Sequence, residues 1–153
     1  MIDITEESRK KVAEELSKVL ADTYAIFLKT HNYHWNVVGP DFNDLHQMFE
    51  EQYTELFSAT DEVAERIRAL GIKAPATFKE FSELSVVKDG DSSQRSDNML
   101  KDLAESHRLV VKNIRSAAAI AQENSDFGTM DLLMDRLQAH EKTLWMLESL
   151  LES

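Results

Sequence analysis

An all-α four-helix bundle is the fold class this sequence predicts, and three observations predict it. Only four glycines and two prolines occur in 153 residues, which permits long helices and disfavours an all-β fold. Apolar residues recur three and four apart along four separate stretches, the period of a helix with one buried face. Turn and stop residues separate those stretches, with short gaps at the first and third junctions and a long gap at the second.

The first helix is read from the capping box Asp3-Ile4-Thr5-Glu6, with Val12, Leu16, Leu20, Phe27, His31 and His34 on its inner stripe. Gly39-Pro40 breaks it, because proline disfavours helix in the residue before it. Asp41 caps the second helix, whose stripe is Phe42, Leu45, Phe49, Leu56, Val63, Ile67 and Leu70, and Gly71 stops it. Residues 71–92 form the long connection, in which Thr77-Phe78-Lys79-Glu80 predicts a short helix and Asp89-Gly90-Asp91 a turn. The third helix is expected from about Ser93 to Gln122, with Met99, Leu103, Val110, Ile114 and Ala117 or Ala118 inward. The fourth follows the break at Glu123-Asn124-Ser125-Asp126 and runs from about Phe127 to Leu151. Short connections make neighbours antiparallel, and a single long crossover is the ferritin-like topology. The expectation is one domain over residues 1–153.

Several function classes are disfavoured by composition. With no cysteine, disulfides, thiolate catalysis and iron–sulfur ligation are ruled out. No apolar run approaches the roughly 20 residues of a membrane span, and the first residues resemble no signal peptide. These features predict a cytoplasmic protein without a membrane partner. The formal net charge of −11 attracts cations and repels nucleic acid, although solubility alone also explains such a charge.

The chemistry lies in a pattern of ligand-type side chains. His46 and Glu50 are four apart, as are Asp61 and Glu65, and the two pairs are symmetric about a point between Glu55 and Leu56. On one helix the four residues share a face about 100° wide, yet His46 and Asp61 are about 22 Å apart along the axis. They cannot hold one ion within one chain. A two-fold axis near Glu55 and Leu56 lays a partner's helix antiparallel, setting His46 beside the partner's Glu65 and Glu50 beside its Asp61, with Tyr53 and Phe57 at the centre. His34, near the end of the first helix, joins the same site. Two histidines and three carboxylates suit iron, with zinc and manganese as competitors. Two other readings stand beside this one. Asp61 and Glu65 would suit a solvated face, as Arg66 and Arg68 follow closely, and the whole face would suit a polar seam in a purely structural oligomer. A di-iron centre inside one bundle is not expected, because such centres use Glu-x-x-His motifs and no histidine here, His107 and His140 included, has glutamate three residues before it.

His34-Trp35-Asn36-Val37-Val38-Gly39, then Phe42, Leu45-His46 and Asp61-Glu62-Val63-Ala64-Glu65-Arg66 together make the chain resemble the Dps-type mini-ferritins over nearly its full length. The resemblance implies a hollow shell of twelve four-helix bundles, each with an extra short helix in the long connection, where residues 76–84 fit. It implies a ferroxidase that oxidises Fe(II), preferably with hydrogen peroxide, stores the ferric product in the cavity and so protects against oxidative stress. Carried over by position, His34, Asp61 and Glu65 hold the tighter of two irons, and His46 and Glu50 complete the weaker position. Glu50 departs from the aspartate common in the family, which changes reach at the second metal. Trp35 matches a tryptophan that supplies or relays an electron, and a packing aromatic is the alternative. His31 is a neighbour of the ligands or a packed residue. Asp126, Asp131 and Asp135 match a region that lines acidic pores, although acids at a helix N-terminus also cap it.

Carboxylates favour Fe(III) over Fe(II), and imidazoles must be neutral to ligate, so activity is expected to fall at acid pH. DNA coating is the competing function. Arg9, Lys10, Lys11 and Lys18 are interleaved with Glu6, Glu7, Glu14 and Glu15, a mixed-charge face that predicts weak direct DNA binding or none.

Overall fold

The computed structural model describes residues 2–152. Among them are five helices and no strand: α1 (Glu6–Asn36), α2 (Phe42–Ala69), α3 (Phe78–Leu84), α4 (Ser96–Glu123) and α5 (Phe127–Leu151). The four long helices form the predicted ferritin-like bundle. α1 packs on α2 and α4, α5 packs on α4 and more lightly on α2, and α3 lies against α1 on the crossover from α2 to α4.

Two helix starts differ from the sequence expectation. α1 is capped by Thr5, not by Asp3: its hydroxyl accepts from the Ser8 amide, 3.2 Å away, and places the first helical residue at Glu6. α4 begins at Ser96, three residues later than expected, because the Asp91 carboxylate draws the Ser93 amide and hydroxyl into a local turn. Asp41 stands at the N-cap of α2, but its side chain makes no capping bond. Phe42, expected on the inner stripe, is 42% exposed. The predicted short helix is present, capped by Thr77, which accepts from the Glu80 amide and donates to its carboxylate.

α2 ends in a Schellman motif. Ile72 donates to the carbonyl of Ile67 and Gly71 to that of Arg68, with Gly71 at φ +86 where a side chain would be strained. The long connection is then tied down twice. Asp22, buried on α1, accepts from the Ser85 hydroxyl, the Val86 amide and the Asn113 side chain. Burial raises its carboxyl above the ordinary range, and these donors oppose the shift. Further along, the Asp91 amide donates to the Tyr33 hydroxyl, which donates to Asp102, and buried Lys29 donates to Asp102 and Ser106.

The apolar interior forms two clusters. Leu16, Leu56, Val63, Ile67, Ile114 and Leu133 belong to one; Tyr33, Leu45, Phe49, Met99, Leu103 and Leu147 belong to the other. The corner between α1 and α2, where His34 and His46 lie, adjoins the second cluster.

Candidate metal centre

Tyr33, Val37, Leu45 and Phe49 are buried, so α1 and α2 are pressed together at their shared corner. The chain reverses there through Gly39, at φ +120, and the Phe42 amide donates to the Gly39 carbonyl. This reversal brings residues 34 and 46 side by side. Nδ1 of His34 donates to the carbonyl of His46 over 2.7 Å, and Nδ1 of His46 donates to the carbonyl of His34 over the same distance. The two rings stack with centroids 3.8 Å apart and planes 11° from parallel.

These reciprocal bonds decide the tautomers. A carbonyl oxygen only accepts, so each Nδ1 carries the proton, and in the neutral ring each Nε2 keeps a free lone pair. Fixing the far nitrogen of a histidine in this way is how proteins aim a metal-ligating imidazole. Nε2 of His34 faces Oε1 of Glu50 at 4.0 Å. Two donors bound to one ion at about 2.1 Å each span up to about 4.2 Å, so an ion fits between them. His34 is 5% exposed, whereas the Glu50 side chain is 60% exposed.

Asp61 and Glu65 lie on the same helix but not in this group. Their carboxylates are exposed and adjacent, and Asp61 raises Glu65 above its ordinary value through a shared hydrogen bond and charge repulsion. Among the described residues, no three histidine, aspartate or glutamate side chains of one chain meet as a metal site. His34 thus meets His46 and Glu50 in separate pairwise contacts, while Asp61 and Glu65 stand apart as a carboxylate-only pair.

Trp35 is 61% exposed, and its ring lies 3.7 Å from that of His31. On its other side His31 meets Tyr53, at 4.4 Å, and Tyr53 meets the His34 ring edge-on at 5.1 Å. Burial lowers the His31 pKa, and the neighbouring His34 adds to the shift. Tyr53 and Phe57, both expected at a dimer centre, each lie against Phe27 of their own α1, and Phe57 remains 57% exposed. The sequence reading missed the contact of Tyr53 with His34. Its signal was the helical spacing of Tyr53 one turn beyond Glu50.

The three acids near α5 separate. Asp131 and Asp135 are exposed on the helix. Asp126 is 1% exposed: it caps the Thr129 amide and is paired with Arg66 at 2.8 Å. Its expected place among pore-lining acids is corrected, since its carboxylate is committed inside the chain.

Helix order, crossover and the paired histidines define a class. Residues 13–153 match the ferritin-like domain, and the chain belongs to that family. Within it, the chain belongs to the Dps proteins. It is 39% identical over 142 residues to DNA protection during starvation protein 2 of Bacillus anthracis, covering 93% of this chain and 97% of that one. The Dps protein of Vibrio cholerae O1, described as a member of a broad superfamily of ferritin-like diiron-carboxylate proteins, is similar with a TM-score of 0.96 at 30% identity, over 99% of this chain and 96% of that one. Dps of Bacillus brevis gives 0.92 at 33% identity, over 95% and 98% of the two chains.

Proposed function

We propose that this protein is a ferroxidase and iron store whose catalytic centre is completed between two copies of the chain. The observation that carries this reading is the reciprocal pair of hydrogen bonds that leaves the Nε2 lone pairs of His34 and His46 free, that of His34 facing Glu50. The symmetric placement of Asp61 and Glu65 on α2 supplies the partner's carboxylates when two α2 helices lie antiparallel, and exposed Phe57 is available to that contact. Each two-fold dimer then carries two equal centres, and each centre takes two Fe(II) ions as substrate. The dimer is the unit of a dodecameric shell in the cytoplasm, whose cavity stores the ferric mineral.

The chemistry follows from the residues. His34, Asp61 and Glu65 bind one ferrous ion, and His46 and Glu50 bind the other. The two ions give one electron each to hydrogen peroxide, its O–O bond breaks, and two protons convert the products to two waters. No hydroxyl radical leaves the site, which makes the reaction protective against oxidative stress. The carboxylates stabilise the added charge on Fe(III). A ferrous ion between Asp61 and Glu65 also removes the repulsion that raises Glu65. Trp35, stacked on His31 and through it on Tyr53, is placed to relay an electron. Asp131 and Asp135 line the cation entry. Zinc, which accepts the same donors, competes for the centre.

The test is iron oxidation by the assembled protein. Fe(II) is added without oxygen, hydrogen peroxide follows, and ferric absorbance and retained soluble iron are measured beside His34→Ala/His46→Ala, with assembly checked by sizing. Fast oxidation and retention in the parent, both lost in an assembled variant, is the expected result. Equal rates in the two proteins would refute the reading and leave a structural seam.

A further inference from the structure

The apolar interior is divided in two, and the divider is a polar layer. On α2, Gln52 and Glu55 lie between Phe49 of one cluster and Leu56 of the other; on α4, His107 lies between Leu103 and Val110; on α5, Arg136 and His140 lie between Leu133 and Leu147. His107 and His140 are each 1% exposed, Arg136 4% and Gln52 8%.

Hydrogen-bond directions locate the protons. Nη2 of Arg136 donates to Nε2 of His140 over 3.1 Å, so that nitrogen accepts and the His140 proton lies on Nδ1. Nδ1 of His140 in turn donates to Nδ1 of His107 over 2.9 Å, which leaves the His107 proton on Nε2. Burial and the Arg136 charge push His107 down to about 3, and burial, His107 and Arg136 push His140 well below its ordinary value, so both rings are neutral. Both terminal nitrogens of Arg136 also donate to the Glu55 carboxylate. The guanidinium therefore stands between a carboxylate and an imidazole lone pair. Nε of Arg136, Nε2 of His107 and both ends of the Gln52 amide are buried without a protein partner.

The Glu55 carboxylate and the His140 Nε2 lone pair, which both face the guanidinium, and the unpartnered amide oxygen of Gln52 in the same layer are donors that transition metals take. The middle of a four-helix bundle, with ligands on facing helices, is where such donors build a metal centre. In this chain the cation at that position is covalently tethered. We propose that the layer is a latent divalent-metal site, and that Arg136 is the specificity-determining residue whose guanidinium takes the metal's place and keeps the bundle interior closed to it. The layer is within reach of ions: the Glu55 side chain is 49% exposed, in a surface depression it shares with Glu50 and Glu51. The guanidinium stays protonated, so the exclusion holds at any working pH. The inference builds on the proposed ferroxidase, because it confines ferrous iron to the centre between subunits.

The test uses Co(II) alone, titrated into the assembled protein and followed by visible absorption. Arg136→Gln is expected to take up about one Co(II) per chain more than the parent, the uptake of a single mononuclear site. Adding His140→Leu to that variant should abolish the gain, and Arg136→Lys, which keeps a tethered cation, should bind as the parent does. Equal uptake by the parent and an assembled Arg136→Gln overturns the proposal, as does a gain that survives His140→Leu or appears in Arg136→Lys. If Arg136→Gln does not assemble unaided, Co(II) should restore assembly, because an ion that binds only the folded chain stabilises it; failure to restore it also overturns the proposal. The readout involves neither iron nor peroxide, so a protein inactive as a ferroxidase would still decide it.

Discussion

At the head of α5, Asp126 accepts from the Thr129 amide and hydroxyl and from Arg66, while Arg66 Nε donates to Thr129. Four groups thereby satisfy one another at a junction where a helix start would otherwise leave bare amides. Asp126→Ala removes the cap and leaves the Arg66 charge unpaired in a half-buried site. A loss of about 3 kcal/mol is expected, the scale of breaking a buried pair by deleting one partner. Urea unfolding measures it, as a lower midpoint at an unchanged slope. The sequence shows an acid before a helix, which supports both a cap and a pore residue. It does not show Arg66, 60 positions away, and that contact decides between them. His34, His46 and Glu50 were legible for the opposite reason: their spacing on two helices joined by a tight corner leaves few ways to pack them.

The helices themselves were readable because burial imposes a 3.6-residue period on the sequence. Their ends were less so, since a cap depends on which nearby oxygen takes a free amide: Thr5 in place of Asp3, and Asp91 holding Ser93 out of α4. The long connection was legible as a connection, but not its fastening. Gly90 sits against the Tyr33 ring and the Lys29 chain, and a Cβ there would lie 3.2 Å from both. Tyr33 is 1% exposed and bonded to Asp91 and Asp102, so it cannot yield. Gly90→Ala is expected to cost about 2 kcal/mol through overpacking. Hydrogen exchange should show faster opening of residues 85–95 in that variant, with α2 unchanged. Uniform exchange across the chain would mean that the connection is not separately fastened.

For the whole molecule, the central polar layer sets a pH dependence. His107 and His140 stay neutral in the folded chain, whereas an unfolded histidine titrates near 6.5. Below that value the unfolded chain binds protons that the folded chain refuses. The stability these rings contribute is therefore complete above about 6.5 and is lost as pH falls towards about 3. The thermal midpoint should drop across that window, and less steeply in His107→Leu/His140→Leu; parallel curves would mean that the rings are not held neutral. The layer escaped sequence reading because its two histidines lie in no recognisable motif and meet only through the packing of α4 on α5. Charge acts at the same scale. Lys10, Lys11 and Lys18 of α1 are paired with Glu6, Glu7 and Glu15, and the chain carries a net charge of −11. No strong direct DNA binding is expected at physiological salt, and mobility shifts at low and physiological salt check it. Retarded DNA at both would contradict the expectation and favour a DNA-coating role.

The crossed bonds between His34 and His46 join residues only 12 apart in the chain. Contacts between near neighbours form early and fast, because little loop entropy opposes them. The imidazole half of the proposed centre is thus in place as soon as α1 and α2 pair, and the carboxylate half needs nothing beyond one helical turn. In the proposed centre folding comes first and partnership second: each newly made chain would present two unfinished halves, to be joined when it meets a copy of itself.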